Sequence, residues 1–210
     1  MAKSIQEIMR QASVIPVLTV TDLAHAIPLA HALFDGGLRV IELTLRSPIA
    51  LEALIQMKQA VPELVIGMGT VLTPGYVRLC VDASVDFLVS PGLTDELSAA
   101  MMDSRLPCLP GIATTSEAMQ ATNAGFTAVK FFPAEQSGGR AWLNAIRGPL
   151  PDLRFCPTGS ISAALAPAYL AAPNVDCVGG SWIAPSALIA EQNWTAITKL
   201  AKSATQMGAD

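Results

Sequence analysis

Short apolar runs alternate with longer amphipathic runs along most of the chain. The short runs predict about eight β-strands, at residues 14–20, 39–45, 64–71, 87–90, 106–112, 128–132, 154–159 and 176–180. The longer runs carry apolar residues at helical spacing, and the strands recur at roughly the interval of a compact strand–helix unit. The pattern therefore predicts an α/β fold, a closed (β/α)8 TIM barrel. The alternative is an open doubly wound sheet, but the first strand–helix turn, VTDLAHA, has no GxGxxG fingerprint.

The two ends of the chain extend this pattern. Residues 4–12, SIQEIMRQA, precede the first strand and predict an extra N-terminal helix that covers one end of the barrel. Residues 195–207 predict a closing helix. No linker, low-complexity block or charge run interrupts the series, so we expect residues 1–210 to form one domain.

Composition narrows the classes of function. The chain is 51% hydrophobic, but no run reaches the roughly 18 apolar residues that a membrane span needs, so we expect no membrane partner. A net charge of -4 argues against a nucleic-acid partner. Four cysteines without a CxxC pair, with only two histidines, predict no metal site. The N-terminal residues lack the apolar region of a signal peptide, so we expect a cytoplasmic protein.

Polar residues concentrate where the predicted strands end, which is where barrel enzymes carry their chemistry. On the second strand Glu42, Thr44 and Arg46 share one face because side chains alternate along a strand, and we expect that face to point inward. One interpretation is a structural Glu–Arg pair. The other is a carboxylate that transfers protons beside a guanidinium that binds an anion.

A single lysine, Lys130, interrupts the apolar stretch AVKFFPAE on the sixth strand. Burial of an ammonium is unfavourable, and a buried cationic neighbourhood favours the neutral amine, which attacks ketones to form a Schiff base. The alternatives are a lysine that points between helices, or one that forms a structural salt bridge with Glu42.

Glycines and hydroxyls follow three other strands. Thr70 ends the third strand after a GMG sequence, PTGS ends the seventh strand, and GGSW follows the eighth. Glycine turns after the last two strands of a barrel often hold phosphate through backbone N–H groups, and we expect Ser162 to begin a helix that adds its N-terminus. Ordinary glycine turns are the alternative.

Seven motifs in order resemble those of one family. They are GGLRVIELTLR, VIGMGTVL, SPGLT, LPGIATTSE, KFFPAE, RFCPTGSIS and VGGSW. They resemble the 2-dehydro-3-deoxy-6-phosphogluconate (KDPG) aldolases, a group that includes 4-hydroxy-2-oxoglutarate (KHG) aldolase activity. The resemblance implies a (β/α)8 barrel and a class I aldolase with no metal and no cofactor. It also implies a homotrimer that acts on a small keto-acid sugar phosphate.

The resemblance also implies roles for individual residues. Lys130 would form the Schiff base and Glu42 would shuttle protons. The implied substrate-binding residues are Arg46 and Thr70 for the carboxylate, Pro91 and Phe132 for the pocket wall, Thr158 for the hydroxyl at the reacting carbon, and Gly159, Ser160, Gly180 and Ser181 for the phosphate. One residue departs from the family pattern, because the usual PTGGI reads PTGSI here and places Ser160 at the second glycine. Serine would be strained there if the position needs a positive φ, although its hydroxyl could add a donor.

Several functions stay open at this point. Within the family, the sequence does not decide between KDPG, its galactonate epimer and KHG. Outside it, a sugar-phosphate isomerase or decarboxylase could use the same phosphate site without an imine. A barrel that binds sugar phosphates without catalysis is a further alternative.

Overall fold

The computed structural model describes residues 3–207, which contain nine β-strands and ten α-helices. The strands are β1 (Val14–Leu18), β2 (Val40–Thr44), β3 (Val65–Gly69), β4 (Phe87–Val89), β5 (Cys108–Leu109), β6 (Gly111–Ile112), β7 (Ala128–Phe131), β8 (Arg154–Pro157) and β9 (Val178–Gly180). The helices are α1 (Ile5–Met9), α2 (Ala26–Asp35), α3 (Ala50–Ala60), α4 (Pro74–Asp82), α5 (Asp95–Ser104), α6 (Thr115–Asn123), α7 (Gly139–Ile146), α8 (Ala166–Leu170), α9 (Ser186–Ala190) and α10 (Trp194–Thr205).

The strands form two separate parallel sheets, so the prediction of a closed eight-stranded TIM barrel is wrong. The larger sheet has six strands in the order β5-β4-β3-β2-β1-β9. The smaller sheet has three strands in the order β6-β7-β8. The chain alternates strands and helices as expected, but the hydrogen-bonded ladder does not run continuously around the molecule.

Two local features interrupt the ladder. The predicted strand 106–112 is divided at Pro110, which has no N–H to donate, so β5 pairs with β4 while β6 pairs with β7. At the other junction β9 begins only at Val178. The chain there contacts β8 through isolated bridges, Phe155 to Val175 and Thr158 to Gly179, and not through a regular ladder.

The two sheets share one apolar cluster, here called the inner core. It contains inward-facing residues of both sheets, such as Val40 on β2 and Ala128 on β7, together with Ile5, Ile8 and Met9 of α1. Helix α1 thus precedes β1 and covers this cluster from one end. Ser4 and Glu7 begin α1 with a reciprocal capping box, in which each side chain accepts from the other residue's backbone N–H.

A second apolar cluster lies between the sheets and the surrounding helices. Ile41 and Leu43 of β2, and Val129 and Phe131 of β7, belong to it. The period of two along each strand therefore turns alternate residues toward the helices and toward the inner core. Glu42 and Lys130 have the parity of the inner core.

Threonine and aspartate side chains cap several of the helix N-termini. Thr73 and Thr94 cap α4 and α5 through their hydroxyl oxygens. Asp22 caps a short 3₁₀ helix, Leu23–His25, and α2 begins after it. The expectation that Ser162 begins a helix is wrong, because residues 162–165 form a turn and α8 begins at Ala166. Ser162 therefore offers no helix N-terminus to a ligand.

The position of α1 makes a prediction for stability. Ile8 is 2% exposed and lies in the inner core. We expect Ile8→Ala to lower the free energy of unfolding by about 2–5 kcal/mol, because the change removes buried methyl groups and leaves a cavity. Urea unfolding would measure it. Gln11→Ala, at an exposed position just after α1, is the control; it removes only exposed hydrogen bonds to Lys3 and Glu7 and should change stability by about 1 kcal/mol or less. Equal stabilities for the two variants would contradict this account of α1.

Candidate active site

The polar centre of the molecule is an ion pair between the two sheets. Lys130 on β7 places Nζ 2.9 Å from Oε1 and 3.2 Å from Oε2 of Glu42 on β2. Only 6% of the lysine side chain and 4% of the glutamate side chain are exposed. Removal of two charges from water costs free energy that their attraction offsets only when the geometry is good. A pair kept in this position indicates chemistry more than stability.

Neighbouring strands hold both members of the pair in register. Glu42 lies opposite Val17 of β1 and Gly67 of β3, while Lys130 lies opposite Gly111 of β6. Each side chain thus comes from the middle of a paired strand and not from a loop. Strand backbones restrict the movement of both groups, which is how a short donor–acceptor distance is maintained.

Glycine at position 69 makes room for the carboxylate. A Cβ atom built on Gly69 would lie 2.1 Å from Oε1 and 2.7 Å from Cδ of Glu42. No larger residue fits there unless the glutamate moves away. The second glycine of the GMG sequence is therefore explained by the space that Glu42 needs, while the first, Gly67, leaves room for the Phe87 ring, 2.3 Å from where its Cβ atom would lie.

Thr70, directly after β3, has strained backbone geometry. Its φ is 61°, in the left-handed region that β-branched residues rarely adopt. Strain of this kind persists where the surrounding structure enforces it, and it is frequent at ligand sites. The following residue is held by a hydrogen bond from Val71 N to Val89 O at 3.1 Å.

A cavity of about 530 Å³ opens at the C-terminal ends of the strands. Its polar wall consists of hydroxyl side chains, glycine backbone and one guanidinium, contributed by Thr19, Arg46, Thr158, Gly159, Ser160, Gly179, Gly180, Ser181 and Ser186. Its apolar wall includes Val17, Phe132, Ile161 and Trp182. Lys130 does not line the cavity, but its Nζ lies 5.6 Å from the centroid of the Phe132 ring, which does.

The structure brings most of the predicted binding residues together. Seven of them line this cavity: Arg46, Phe132, Thr158, Gly159, Ser160, Gly180 and Ser181. Thr70 and Pro91 do not line it. They are half-buried at the ends of β3 and β4, and the Pro91 backbone packs tightly over Gly111. Their roles, like those of the other site residues, stay predictions.

The four cysteines are buried free thiols. Burial raises the pKa of the Cys80 and Cys108 thiols to about 12. Burial, with Cys156 as a neighbour, also raises the pKa of Cys177 well above its ordinary value. Within residues 3–207 there is no group of three or more His, Cys, Asp and Glu side chains that could hold a metal ion.

Comparison with known proteins identifies the family. The family model for KDPG and KHG aldolases matches residues 5–200. A curated relative from Pseudomonas aeruginosa, named 2-dehydro-3-deoxy-phosphogluconate aldolase, is 43% identical over 206 residues, which cover 98% of this chain and 94% of the relative. The chain belongs to the KDPG and KHG aldolase family.

Solved structures of similar proteins extend the match. KDPG aldolase from Legionella pneumophila, with pyruvate captured at low pH as a covalent carbinolamine, has a TM-score of 0.96 and 43% identity, and the match covers 98% of this chain and all of that one. The KDPG aldolase of Zymomonas mobilis with 3-phosphoglycerate has a TM-score of 0.93 and 42% identity, with 99% and 97% of the two chains covered.

Ser160 has the backbone conformation that a glycine would adopt without strain. Its φ is 57°, and the preceding Gly159 has a φ of 106°. The hydroxyl of Ser160 accepts a hydrogen bond from Nε2 of Gln136 at 2.7 Å. Because that bond occupies an oxygen lone pair, the hydroxyl proton stays free to donate to a ligand in the cavity. The departure from the family pattern thus adds a donor to the turn.

Sequence reasoning missed several residues of the site. Thr19 and Val17 line the cavity from β1 and its end, Trp182 and Ser186 line it beyond β9, and Gln136 orients Ser160. A signal was available for Thr19, because it is a hydroxyl residue at the C-terminal end of the first predicted strand, with the same parity as Val17. Gln136 carried no such signal, since its contact depends on two loops.

The space around Glu42 makes a prediction about two glycines. We expect Gly69→Ala to lower the free energy of unfolding by about 1–3 kcal/mol, because the new methyl group would displace the buried carboxylate. The matched control is Gly92→Ala, where a Cβ atom meets nothing within 4 Å and the change should be neutral or slightly stabilising. Urea unfolding of both variants provides the measurement. A Gly69→Ala variant as stable as Gly92→Ala would show that the carboxylate does not need this space.

Proposed function

We propose that the protein is a class I aldolase that reversibly cleaves KDPG to pyruvate and glyceraldehyde 3-phosphate through a Schiff base on Lys130. KHG, cleaved to pyruvate and glyoxylate, is proposed as a second substrate. The observation that carries the proposal is the buried contact between Lys130 Nζ and Glu42 Oε1 at 2.9 Å, next to a cavity with hydroxyl and guanidinium donors.

The first step needs an uncharged amine. Glu42 can accept a proton from the Lys130 ammonium because the two groups are already hydrogen-bonded. Burial costs a neutral amine and carboxylic acid less solvation free energy than it costs the ammonium and carboxylate. A site with a low dielectric constant therefore favours transfer of the proton from Lys130 to Glu42. The amine nitrogen then attacks the C2 carbonyl carbon of the keto acid and forms a carbinolamine. Glu42 returns its proton to the C2 hydroxyl, which leaves as water, and an iminium results.

Cleavage uses the iminium as an electron sink. Glu42 removes the proton of the C4 hydroxyl, the C3–C4 bond breaks, and its electron pair moves to the iminium nitrogen to give an enamine. Glyceraldehyde 3-phosphate leaves as the aldehyde. Protonation of the enamine at C3 and hydrolysis of the resulting iminium release pyruvate and restore Lys130. One carboxylate serves each proton transfer, because it lies within hydrogen-bond distance of the reacting nitrogen.

Substrate binding divides between two ends of the site. Arg46 and Thr70 are proposed for the carboxylate, with Pro91 and Phe132 as the wall, and Thr158 for the hydroxyl at the reacting carbon. The turns Gly159–Ser160 and Gly180–Ser181 are proposed for the phosphate, through backbone N–H groups and hydroxyls. The carbinolamine and 3-phosphoglycerate named for the Legionella and Zymomonas structures support a covalent pyruvate site and a phosphate site.

The remaining proposals concern the whole protein. We propose that residues 1–210 act as one domain, that the protein is a cytoplasmic homotrimer, and that it needs no cofactor. Within residues 3–207, none of the helices has the length and apolar character needed to cross a membrane. Light scattering coupled to size exclusion tests the trimer.

The galactonate epimer of KDPG is an alternative substrate, and a pyruvate-release assay on KDPG, the epimer and KHG in parallel separates these activities.

Borohydride trapping tests the nucleophile. Incubation with pyruvate and sodium borohydride should reduce the iminium and leave a stable adduct on Lys130, located by peptide mass mapping. Lys130→Met should give no adduct, because it keeps the length of the side chain without the amine. An adduct on another lysine, or none in the unchanged protein, would refute the proposed mechanism and favour an imine-free enzyme or a binding protein.

Glu42→Gln tests the proton shuttle. The amide keeps the shape of the carboxylate but cannot accept and return protons, so we expect kcat for KDPG cleavage to fall about 10²–10⁴-fold. Pyruvate should still be trapped on Lys130 after long incubation. A coupled assay of pyruvate release measures kcat. Turnover at the unchanged rate would remove Glu42 from the mechanism.

A further inference from the structure

Thr19 has a hydrogen-bonding state that the fold determines. It follows β1, is half-buried, and lines the cavity beside Val17. Its Oγ1 lies 2.9 Å from Oγ1 of Thr44, which is fully buried. Either oxygen could donate in this contact if the pair stood alone. The neighbouring backbone removes that ambiguity.

Counting protons decides which hydroxyl donates. A threonine hydroxyl has one proton and two acceptor lone pairs. Thr44 Oγ1 donates its proton to the carbonyl oxygen of Leu18 at 2.8 Å, and a carbonyl can only accept. Thr44 therefore has no proton left for Thr19, so Thr19 donates to Thr44. Both lone pairs of Thr19 Oγ1 stay available to the cavity, and its proton does not.

This state selects the chemistry of the group that Thr19 can bind. An acceptor without a free proton disfavours phosphate and carboxylate oxygens and favours a donor, such as a substrate hydroxyl. Ser160 has the opposite state, because Gln136 donates to its oxygen and its proton is free. The cavity thus presents a donor at Ser160 and an acceptor at Thr19.

Strand order places Thr19 between the two ends of the proposed substrate. On one side β1 pairs with β2, where Val17 lies opposite Glu42. On the other side β1 pairs with β9, where Pro16 lies opposite Gly180 of the proposed phosphate turn. A substrate with its reacting carbon near Glu42 and its phosphate near Gly180 passes the end of β1 with the carbons in between.

We propose that Thr19 is a specificity-determining residue, whose Oγ1 accepts a hydrogen bond from the C5 hydroxyl of the sugar-acid substrate. The inference rests on the proposed aldolase function. In KDPG the C5 hydroxyl lies between the reacting C4 and the phosphate-bearing C6, which matches the position of Thr19 between β2 and β9. In the condensation direction this group is the C2 hydroxyl of glyceraldehyde 3-phosphate.

Two aldehydes that differ only in this hydroxyl provide the test. Condensation with pyruvate is measured for D-glyceraldehyde 3-phosphate and for 3-phosphopropanal, which lacks the hydroxyl. For the unchanged protein we expect kcat/KM to favour the hydroxylated aldehyde by about 10–100-fold, the discrimination typical of one buried hydrogen bond. Thr19→Val, which replaces the hydroxyl by a methyl group of similar size, should reduce this ratio to within about threefold of one. Thr19→Ser, which keeps the hydroxyl, should retain most of the preference.

Other outcomes overturn the proposal in recognisable ways. If Thr19→Val lowers kcat/KM equally for both aldehydes, Thr19 acts on the phosphate or on the fold, and the acceptor role is wrong. An unchanged preference in Thr19→Val also refutes it. If Thr19→Val does not fold, the ratio in Thr19→Ala decides in the same way.

Exchange of the pyruvate methyl protons in D2O, followed by NMR, separates failure of the Thr19 proposal from failure of the proposed aldolase function. Without that exchange in the unchanged protein the aldolase itself is refuted, whereas exchange together with an unaltered aldehyde preference refutes only the role of Thr19.

Discussion

The contact between Lys130 and Glu42 is the constraint on which the rest of the site depends. Both groups are withdrawn from water, and each is stable there only because the other is within hydrogen-bond distance. The pair joins strands of different sheets, so the position of one sheet relative to the other sets the distance. An amine and a carboxylate in this arrangement can exchange a proton without help from solvent, which the proposed chemistry needs at each step.

Space for polar groups is created by glycines on adjacent strands. Gly69 leaves room for the Glu42 carboxylate, and Gly179 leaves room for Thr158, whose Oγ1 would lie 2.2 Å from a Cβ atom at that position. In both cases a polar side chain on one strand occupies the volume that a neighbouring residue gives up. Close packing makes glycine necessary at both positions, since a Cβ atom there would overlap the polar side chain.

Ser160 illustrates how one substitution is accommodated. A left-handed conformation costs a non-glycine residue roughly 1–2 kcal/mol. The hydrogen bond from Gln136 offsets part of that cost, since such a bond contributes about 1 kcal/mol. The same bond leaves the Ser160 hydroxyl proton free for a group in the cavity. Ser160 and Thr19 are chemically similar side chains, yet their neighbours make one a donor and the other an acceptor.

The sequence by itself determined the alternation of strands and helices, the helix before β1, and the inward parity of Glu42, but it left open whether Lys130 points inward or between helices. These follow from local periodicity and from the cost of burying charge. Family motifs also identified seven of the residues that line the cavity. Only the tertiary structure decided that the strands form two sheets, because a missing N–H at Pro110 and a late start of β9 act through pairing with other strands. It alone decided the proton states of Thr19 and Ser160, because a hydroxyl's role depends on which distant groups already use its proton and its lone pairs.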